Sequence, residues 1–328
     1  MDVQRRNYSS VLCAALCAVA INTTQAETKE ATCFYVSSYH QGHEWTDEIG
    51  QSLNETLNGR CELIQIHLGA LEHQSIQEST LAGRAAFETM KDIEPDVVIT
   101  SDDSAAKYFL EPYSSLSSTP FVFTGINWTI EEYKLSRDNV TGIIEVAPIK
   151  LMLLEGIRII GANRSSGNRI AYLGANSLSE RKDYQGVMQA ASKLGMTTDA
   201  ILVDDFATWR YGFELAQQYD IVILGSIDGI RKWNTREAIK IAQRQSRKLS
   251  MTSNRAMMPY SLIGFTKVAK EHGEWAAATA ISIMDGVQVS EIPIVSNSRW
   301  DKWINETLNL TIQLGINESM LRDAKIYQ

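Results

Sequence analysis

Long apolar runs are scarce in this chain of 328 residues, and the main one covers only positions 11–21. A membrane-spanning helix needs about 20 apolar residues, so this run is too short to cross a bilayer. Arginines at positions 5 and 6 precede it, and the small residues of "TTQA" follow it up to Ala26. Such a pattern is typical of a secretory signal peptide, which we predict over residues 1–26. A lipoprotein anchor has small residues before its cysteine, and the segments before Cys13 ("SVL") and Cys17 ("AAL") fit this pattern poorly.

Cysteine is also rare, since only Cys33 and Cys61 of the four in the sequence lie beyond the predicted signal peptide. In an oxidising compartment two such cysteines pair, and we therefore predict a disulfide between them. Both stand at the starts of strand-like runs that are expected to be neighbours in a parallel sheet. Two separate buried thiols are the alternative.

Basic residues are outnumbered, because 31 Lys and Arg against 39 Asp and Glu give a net charge of 31 − 39 = −8. Removal of the two arginines and the single aspartate of the signal peptide changes this to −8 − 2 + 1 = −9. An acidic chain without a basic cluster argues against nucleic acid or an anionic membrane as the partner. We expect an exported, periplasmic monomer that does not insert into the membrane.

Catalytic and nucleotide-binding motifs are absent, since the sequence has no G-x-S-x-G, no G-x-x-x-x-G-K-[ST] and no G-x-G-x-x-G. His40 and His43 stand beside Glu44, but they lack the H-E-x-x-H spacing that places two rings on one helical face. We interpret them as loop histidines beside a binding cleft, with a zinc site as the alternative. The sequence therefore predicts no metal, no cofactor and no enzymatic activity.

What the chain does contain is a regular alternation of strand-like apolar runs with helical patterns. The runs are "CFYVSS", "ELIQIHL", "DVVITS", "PFVFTG", "RIAYLG", "AILVDD", "DIVILGS", "KLSMTS" and "SLIGFT". Between the first two, Ile49, Leu53 and Leu57 recur every four residues, which predicts a helix. Alternation of this kind predicts parallel sheets with helices on both faces, and about 300 mature residues suit two domains. We therefore predict an α/β fold of two doubly wound parallel-sheet lobes, with ligands bound at the carboxyl ends of the strands.

Side chains suited to a small ligand follow several of these runs. The aromatic ones are Tyr39, Trp45, Trp128, Phe206 and Trp209. Aromatic walls with a few polar groups suit a planar or cationic molecule, although core packing is the alternative for each ring. In the pairs Asp102/Asp103 and Asp204/Asp205, one acid is expected to cap a helix. The other could face the cleft and bind a ligand cation.

Three segments together carry a resemblance to a known family: "SSYHQGHEWTDEI", "PDVVITSDDSAAKYF" and "TPFVFTGINW". They resemble the ABC-transporter substrate-binding proteins that include the tryptophan-binding type, which have the type I periplasmic-binding fold. Extracytoplasmic input domains of bacterial sensor kinases carry similar motifs. The later segment "LIGFTKVAKEHGEWAAATAISIMDG" fits the part of that family in which the chain returns to the first lobe.

The resemblance implies a two-lobed binder that closes around its ligand, joined by a hinge of three strands. Lobe one would comprise residues 31–145 and 259–290, and lobe two residues 146–258 and 291–328. The chain would cross between them near Val146, Pro259 and Glu291. The ligand would pass to a membrane ABC permease. Alternatively, the loaded protein would dock on a membrane histidine kinase or cyclic-nucleotide synthase as a sensor subunit.

The resemblance also implies a set of ligand-binding residues, carried over by position. Lobe one would contribute Ser38, Tyr39, Trp45, Asp102, Asp103, Asn127 and Trp128, and lobe two Asn176, Ser177, Asp205 and Asp228. For an amino-acid-like ligand, Ser38 and helix N-termini would hold the carboxylate. Asp102 or Asp205 would hold the ammonium group. The loops of the second lobe match no ligand-specific pattern, so tryptophan itself is not implied.

Overall fold

The computed structural model describes residues 31–69, 75–161, 169–312, 314, 316 and 322–328. The predicted signal peptide lies outside the described residues. Among the described residues, no helix combines the length and the apolar character needed to cross a membrane.

The first sheet is parallel and has six strands. Its strands are β1 (Thr32–Ser37), β2 (Glu62–His67), β3 (Val97–Ser101), β4 (Phe121–Asn127), β5 (Val140–Glu145) and β11 (Val295–Ser296), in the order β11-β5-β4-β3-β1-β2. Every residue of β1 is buried, as expected for the central strand of a sheet covered on both faces. Its side chains alternate, so that Phe34 and Val36 enter one apolar core while Cys33 and Tyr35 enter the other.

Helices cover both faces of this sheet. They are α1 (Glu44–Leu57), α2 (Ile76–Ile93), α3 (Asp102–Ala105), α4 (Glu111–Tyr113) and α9 (Ala269–Met284), with a π-helical turn at Ala106–Leu110 between α3 and α4. The predicted apolar face of α1 is buried, and the helix packs along α9.

The second sheet repeats this plan. Its strands are β6 (Arg169–Ala175), β7 (Thr197–Val203), β8 (Ile221–Leu224), β9 (Leu249–Thr252), β10 (Ile263–Lys267), β12 (Trp300–Asn305) and β13 (Lys325–Tyr327), in the order β13-β12-β10-β9-β8-β6-β7. Its helices are α5 (Ile149–Ile160), α6 (Leu178–Lys193), α7 (Phe206–Ala216), α8 (Thr235–Gln245) and α10 (Glu306–Ile312). Only the β10–β12 pair is antiparallel among the described strands. The order β2-β1-β3-β4-β5 in one sheet matches β7-β6-β8-β9-β10 in the other, so the predicted pair of doubly wound lobes is confirmed.

The chain crosses between the sheets three times, and two crossings differ from the expected positions. The first follows Glu145, close to the predicted crossing at Val146. The second follows Lys267 rather than Pro259, because β10 pairs with β9 and β12 in the second sheet. The third follows Ser296 rather than Glu291, because β11 pairs with β5. Lobe one denotes the described residues within 31–145 and 268–296, and lobe two those within 146–267 and 297–328.

Hydrogen bonds tie the crossings together. The Oδ1 of Asn297 accepts from the backbone N–H of Val146 at 2.6 Å, and the carboxylate of Glu271 accepts from the N–H groups of Ser298 and Arg299, both at 2.8 Å. The third connecting segment therefore lies beside the first and beside the start of α9, which follows the second, and a hinge requires this arrangement.

The predicted disulfide is confirmed. Cys33 in β1 is bonded to Cys61, which precedes β2, and their Cα atoms lie 5.8 Å apart. The two strands pair in parallel register, with Cys33 opposite Leu63. The bridge thus closes the loop that carries α1.

We expect the double substitution Cys33→Ala/Cys61→Ala to lower the free energy of unfolding by about 3–4 kcal/mol, because the unfolded chain loses a constraint on a loop of 28 residues. Urea unfolding at 25 °C measures this change. As a control, dithiothreitol should destabilise the parent but leave the double variant unchanged. Two free thiols in the denatured, exported parent would contradict the prediction.

Candidate functional site

A cleft of about 260 Å³ lies between the lobes, at the carboxyl ends of the strands of both sheets. Its lobe-one lining residues are Tyr39, His40, Gly42, His43, Glu44, Trp45, Glu48, Asp102, Asn127 and Glu145. Its lobe-two lining residues are Ser179, Glu180, Asp183, Gly225, Ser226, Ile227, Asp228, Ser253, Asn254, Arg255, Ala256 and Lys267. Parallel strands bring these loops together because their carboxyl ends meet at one edge of each sheet.

Asp102 is the most deeply buried acid of the lobe-one wall after Glu145, with 5% of its surface exposed. It follows β3 directly and has a left-handed backbone with φ of 71°, a conformation that Asp and Asn adopt more readily than most residues. Its Oδ1 accepts a hydrogen bond from Nε1 of Trp45 at 2.9 Å, whereas its Oδ2 has no hydrogen-bond partner. Gly125, in the bulge of β4, permits this packing, because a Cβ there would lie 2.6 Å from Oδ1.

Three acids of the cleft hold protons more tightly than usual. Burial, together with the charge of Glu145, raises the pKa of Asp102 from 3.8 to about 7, against the hydrogen bond from Trp45. Burial raises the pKa of Glu145 to about 7, although Lys267 acts to lower it. Burial and the charge of Asp183 raise the pKa of Glu180 to about 8. The cleft therefore favours an added positive charge.

His43 bridges the two lobes. Its Nε2 donates to Oδ2 of Asp228 at 3.2 Å, and its ring stacks on Tyr39 with centroids 4.3 Å apart. Burial acts to lower the pKa of His43, but the hydrogen bond and charge of Asp228 outweigh it and raise the pKa above 6.5. Burial likewise acts to raise the pKa of Asp228, but the pairing with His43 holds it below its usual value.

Two further cations line the cleft, and each is paired with acids. Lys267 forms an ion pair with Glu145, so that the end of β10 in lobe two contacts the end of β5 in lobe one. Arg255 forms ion pairs with Glu48 at 2.8 Å and Glu44 at 3.2 Å, both in α1. These pairs also join the lobes across the cleft.

A buried ion pair joins the lobes beneath the cleft. The Nζ of Lys182 in α6 lies 2.7 Å from Oδ1 of Asp103 in α3, with side chains only 6% and 2% exposed. Asp103 also accepts hydrogen bonds from the Tyr133 hydroxyl, from Nδ2 of Asn127 and from the Ser179 hydroxyl, at 2.8, 2.8 and 3.1 Å. The carboxylate is thus satisfied entirely by protein groups.

Solved structures share this architecture, although no family model and no curated protein match the chain. An ABC domain in complex with L-Trp from Streptococcus pneumonia is 16% identical, with coverage of 90% of this chain and 99% of that one and a TM-score of 0.69. A substrate-binding protein with adhesive properties from Clostridium difficile, in its ligand-free, open structure, is 12% identical, with coverage of 91% and 99% and a TM-score of 0.64.

A substrate-binding protein of a sugar ABC transport system from Bordetella parapertussis 12822 is 14% identical, with coverage of 90% and 94% and a TM-score of 0.60. This chain has the type I periplasmic-binding fold. At such sequence identities the structural similarity shows the fold alone, so the L-Trp and the sugar in these names are said of those proteins and not of this chain.

The type I fold brings five of the predicted ligand-binding residues together in the cleft. They are Tyr39, Trp45, Asp102, Asn127 and Asp228. The lining places these side chains where a ligand would lie, and their role in binding stays a prediction.

Three predicted residues of lobe one do not line the cleft. The Ser38 hydroxyl donates to the carbonyl of Ser101 and accepts from the N–H of Ala105, so it supports the start of α3 instead of facing a carboxylate. Asp103 is surrounded by its protein partners Lys182, Tyr133, Asn127 and Ser179. The Nε1 of Trp128 donates to Oδ1 of Asp183 at 2.6 Å, so this ring is an interlobe contact.

Three predicted residues of lobe two also lie outside the lining. Ser177 and Asp205 cap the N-termini of α6 and α7, each accepting from the backbone N–H three residues later. Asn176 is exposed and donates to Asp204. Trp209 is fully buried in the core of lobe two, where Phe206 stacks on it, so neither ring belongs to the cleft lining.

Sequence reasoning missed most of the charged lining. Glu145 ends β5, a strand that was not predicted. Glu180 and Asp183 lie in α6, and neither belongs to a recognisable sequence motif. Lys267 follows the run "SLIGFT", so its position at a strand end was the only signal. His43 was noticed in its loop, but its partner Asp228 lies 185 residues away.

In the part of the chain that the structure describes, no group of three or more His, Cys, Asp or Glu side chains is arranged to hold a metal ion. His73, which could have contributed to such a site, lies outside the described residues. The absence of metal therefore stays a prediction.

Proposed function

We propose that this protein is an exported, periplasmic solute-binding protein that captures a small organic ligand between its lobes and delivers it to a membrane ABC permease. The observation that carries the proposal is the cleft itself, because both lobes supply polar and acidic side chains to one cavity and lobe one adds aromatic rings. The ligand class is amino-acid-like or aromatic and cationic. The protein performs no catalysis and returns unchanged after delivery.

Closure of the lobes would trap the ligand. The three crossings between the sheets allow a change in the interlobe angle, while the ion pairs across the cleft favour the closed arrangement. A ligand that contacts both lobes gains its full binding free energy only in the closed state. Binding therefore shifts the population toward that state. A permease that recognises the closed surface would thereby distinguish loaded from empty protein.

The experiment is mass spectrometry of the small molecules that purified protein releases on denaturation. We expect one compound in near-stoichiometric amount, which should rebind to stripped and refolded protein by isothermal titration calorimetry. Small-angle X-ray scattering should show a smaller radius of gyration with the compound than without it. The proposal fails if nothing is released and no amine, amino acid or sugar gives binding heat with the refolded protein.

A further inference from the structure

We infer that the ligand of this cleft is a small organic cation that carries no carboxylate, an amine rather than an α-amino acid. This inference rests on the proposed binding function and names the chemical class that the cleft selects. Three features of the described residues support it: unsatisfied acceptors, cations that are already paired, and a helix N-terminus that already faces an acid.

Two oxygen acceptors of the lobe-one wall have no hydrogen-bond partner, in addition to Nδ1 of His43. They are Oδ2 of Asp102 and Oδ1 of Asn127, on side chains that are 5% and 7% exposed and that line the cleft. Rotation of the Asn127 side-chain amide by half a turn would lose a hydrogen bond, because its Nδ2 donates to Oδ2 of Asp103 at 2.8 Å. Buried acceptors without partners are unfavourable unless a ligand supplies the donor. N–H groups on the ligand would therefore satisfy both oxygens.

The Lys and Arg side chains of the described cleft lining are already matched by acids. Lys267 is paired with Glu145, and Arg255 with Glu44 and Glu48. A ligand carboxylate would have to displace one of these acids and leave it without its partner. Removing the partner of a buried charge is strongly unfavourable, so Lys267 in particular is not free to bind an anion.

The N-terminus of α6 is the remaining place where a carboxylate could be expected. Ser177 caps it by accepting from the N–H of Glu180, and Glu180 itself stands in the first turn, where its carboxyl accepts from the Tyr172 hydroxyl at 2.8 Å. Glu180 and Asp183 both line the cleft at this end. A ligand carboxylate here would meet two acids, whereas an ammonium group would meet favourable charge.

The aromatic side chains complete the case for an organic cation. Tyr39 and Trp45 are half-buried in the lining and lie on either side of the loop that carries His43. Trp45 already has the ammonium of Lys267 5.9 Å from its ring centroid. Apolar carbon on the ligand would pack against these rings, while the attached charge pairs with Asp102.

The test uses matched pairs of commercially available probes that differ by one carboxylate. These are tryptamine and L-tryptophan, tyramine and L-tyrosine, agmatine and L-arginine, and putrescine and L-ornithine. Each is titrated at pH 8 into full-length mature protein that has been stripped by unfolding and refolding. We expect at least one amine to bind with a Kd lower than that of its carboxylate partner by about tenfold or more.

The substitution Asp102→Asn keeps the shape of the side chain and removes its charge. It should weaken binding of that amine by about tenfold or more, with circular dichroism unchanged. Asp138→Asn, which makes the same charge change in a loop outside the cleft lining, should leave the Kd unaltered. Equal weakening by both variants would overturn the inference, because a general charge effect would then explain the binding.

Three outcomes overturn the inference in distinguishable ways. If the carboxylate member of a pair binds as tightly as the amine, or if the compound released on denaturation is an α-amino acid or a neutral sugar, the ligand class is wrong and the binding function stands. If no probe binds and nothing is released, the binding function fails as well.

Discussion

Asp102→Asn is expected to stabilise the protein at pH 8 by about 4 kcal/mol while it weakens ligand binding. Burial and the charge of Glu145 raise the pKa of Asp102 from 3.8 to about 7, and every tenfold change in proton affinity corresponds to about 1.4 kcal/mol. Ionised Asp102 is therefore costly to the folded state. Asparagine is neutral, is tolerated at a φ of 71° and can still accept the hydrogen bond from Trp45.

The sign of the pH dependence follows from linkage. Because the folded pKa of Asp102 is raised, the folded state binds more protons than the unfolded chain between pH 3.8 and about 7. The stability that this proton contributes is fully present below pH 3.8 and is lost as the pH rises through 7. The advantage of Asp102→Asn over the parent should accordingly fall from about 4 kcal/mol at pH 8 to about 2 kcal/mol at pH 5.

Urea unfolding of parent and variant at both pH values measures the effect. Asp138→Asn serves as the control, because its exposed side chain should change stability little at either pH. A variant that is less stable than the parent at pH 8 would show that Asp102 supports the fold, which contradicts its assignment as a ligand-binding acid.

Lys182→Met is expected to lower the free energy of unfolding by about 3–5 kcal/mol. Lys182 and Asp103 form a buried pair between α6 and α3, and methionine of similar length would leave the Asp103 charge without its cation. Since the two residues belong to different lobes, the same substitution should also favour an open arrangement. We therefore expect a larger radius of gyration in solution, measured by small-angle X-ray scattering.

Two variants make the test specific. Lys240→Met removes a lysine whose ion pair with Glu237, at 3.9 Å, is exposed, and it should change stability by less than about 1 kcal/mol. Asp103→Asn combined with Lys182→Met removes both charges and should recover part of the loss. If Lys182→Met and Lys240→Met have equal effects, the interlobe pair does not hold the lobes together.

The fold was largely predictable from the sequence because its signals are local. Nine apolar runs matched strands β1–β4 and β6–β10, since a strand buried on both faces requires a continuous apolar stretch. Strand β5 was missed although its residues are mostly buried, and the short strands β11 and β13 offered too few residues for a pattern. Sheet membership of β10 and β11 was also not predictable, because pairing partners lie far away along the chain.

The site was predictable only in part. The loop that begins at Tyr39 was recognised because several hydrogen-bonding and stacking groups follow one strand, and Trp45 and Asp102 from the neighbouring segments do meet there. The capping residues Ser177 and Asp205 were expected to face the ligand because the family resemblance assigned them to the pocket. Chain position alone does not separate a cap from a lining residue, since both occupy the first residues of a helix.

By itself the sequence determined the parallel sheets, the disulfide and the concentration of polar groups at strand ends, since each follows from residue type and local spacing. Tertiary structure alone decided which of two adjacent acids faces the cleft. Asp102 turns toward it through a left-handed backbone, while Asp103 meets Lys182 from the other lobe. Tertiary structure also decided which charges line the site. Glu145 and Lys267 lie 122 residues apart in the sequence, and they meet only because β5 and β10 end at the same cleft. Contacts of that kind depend on how sheets and helices pack, which no local pattern encodes.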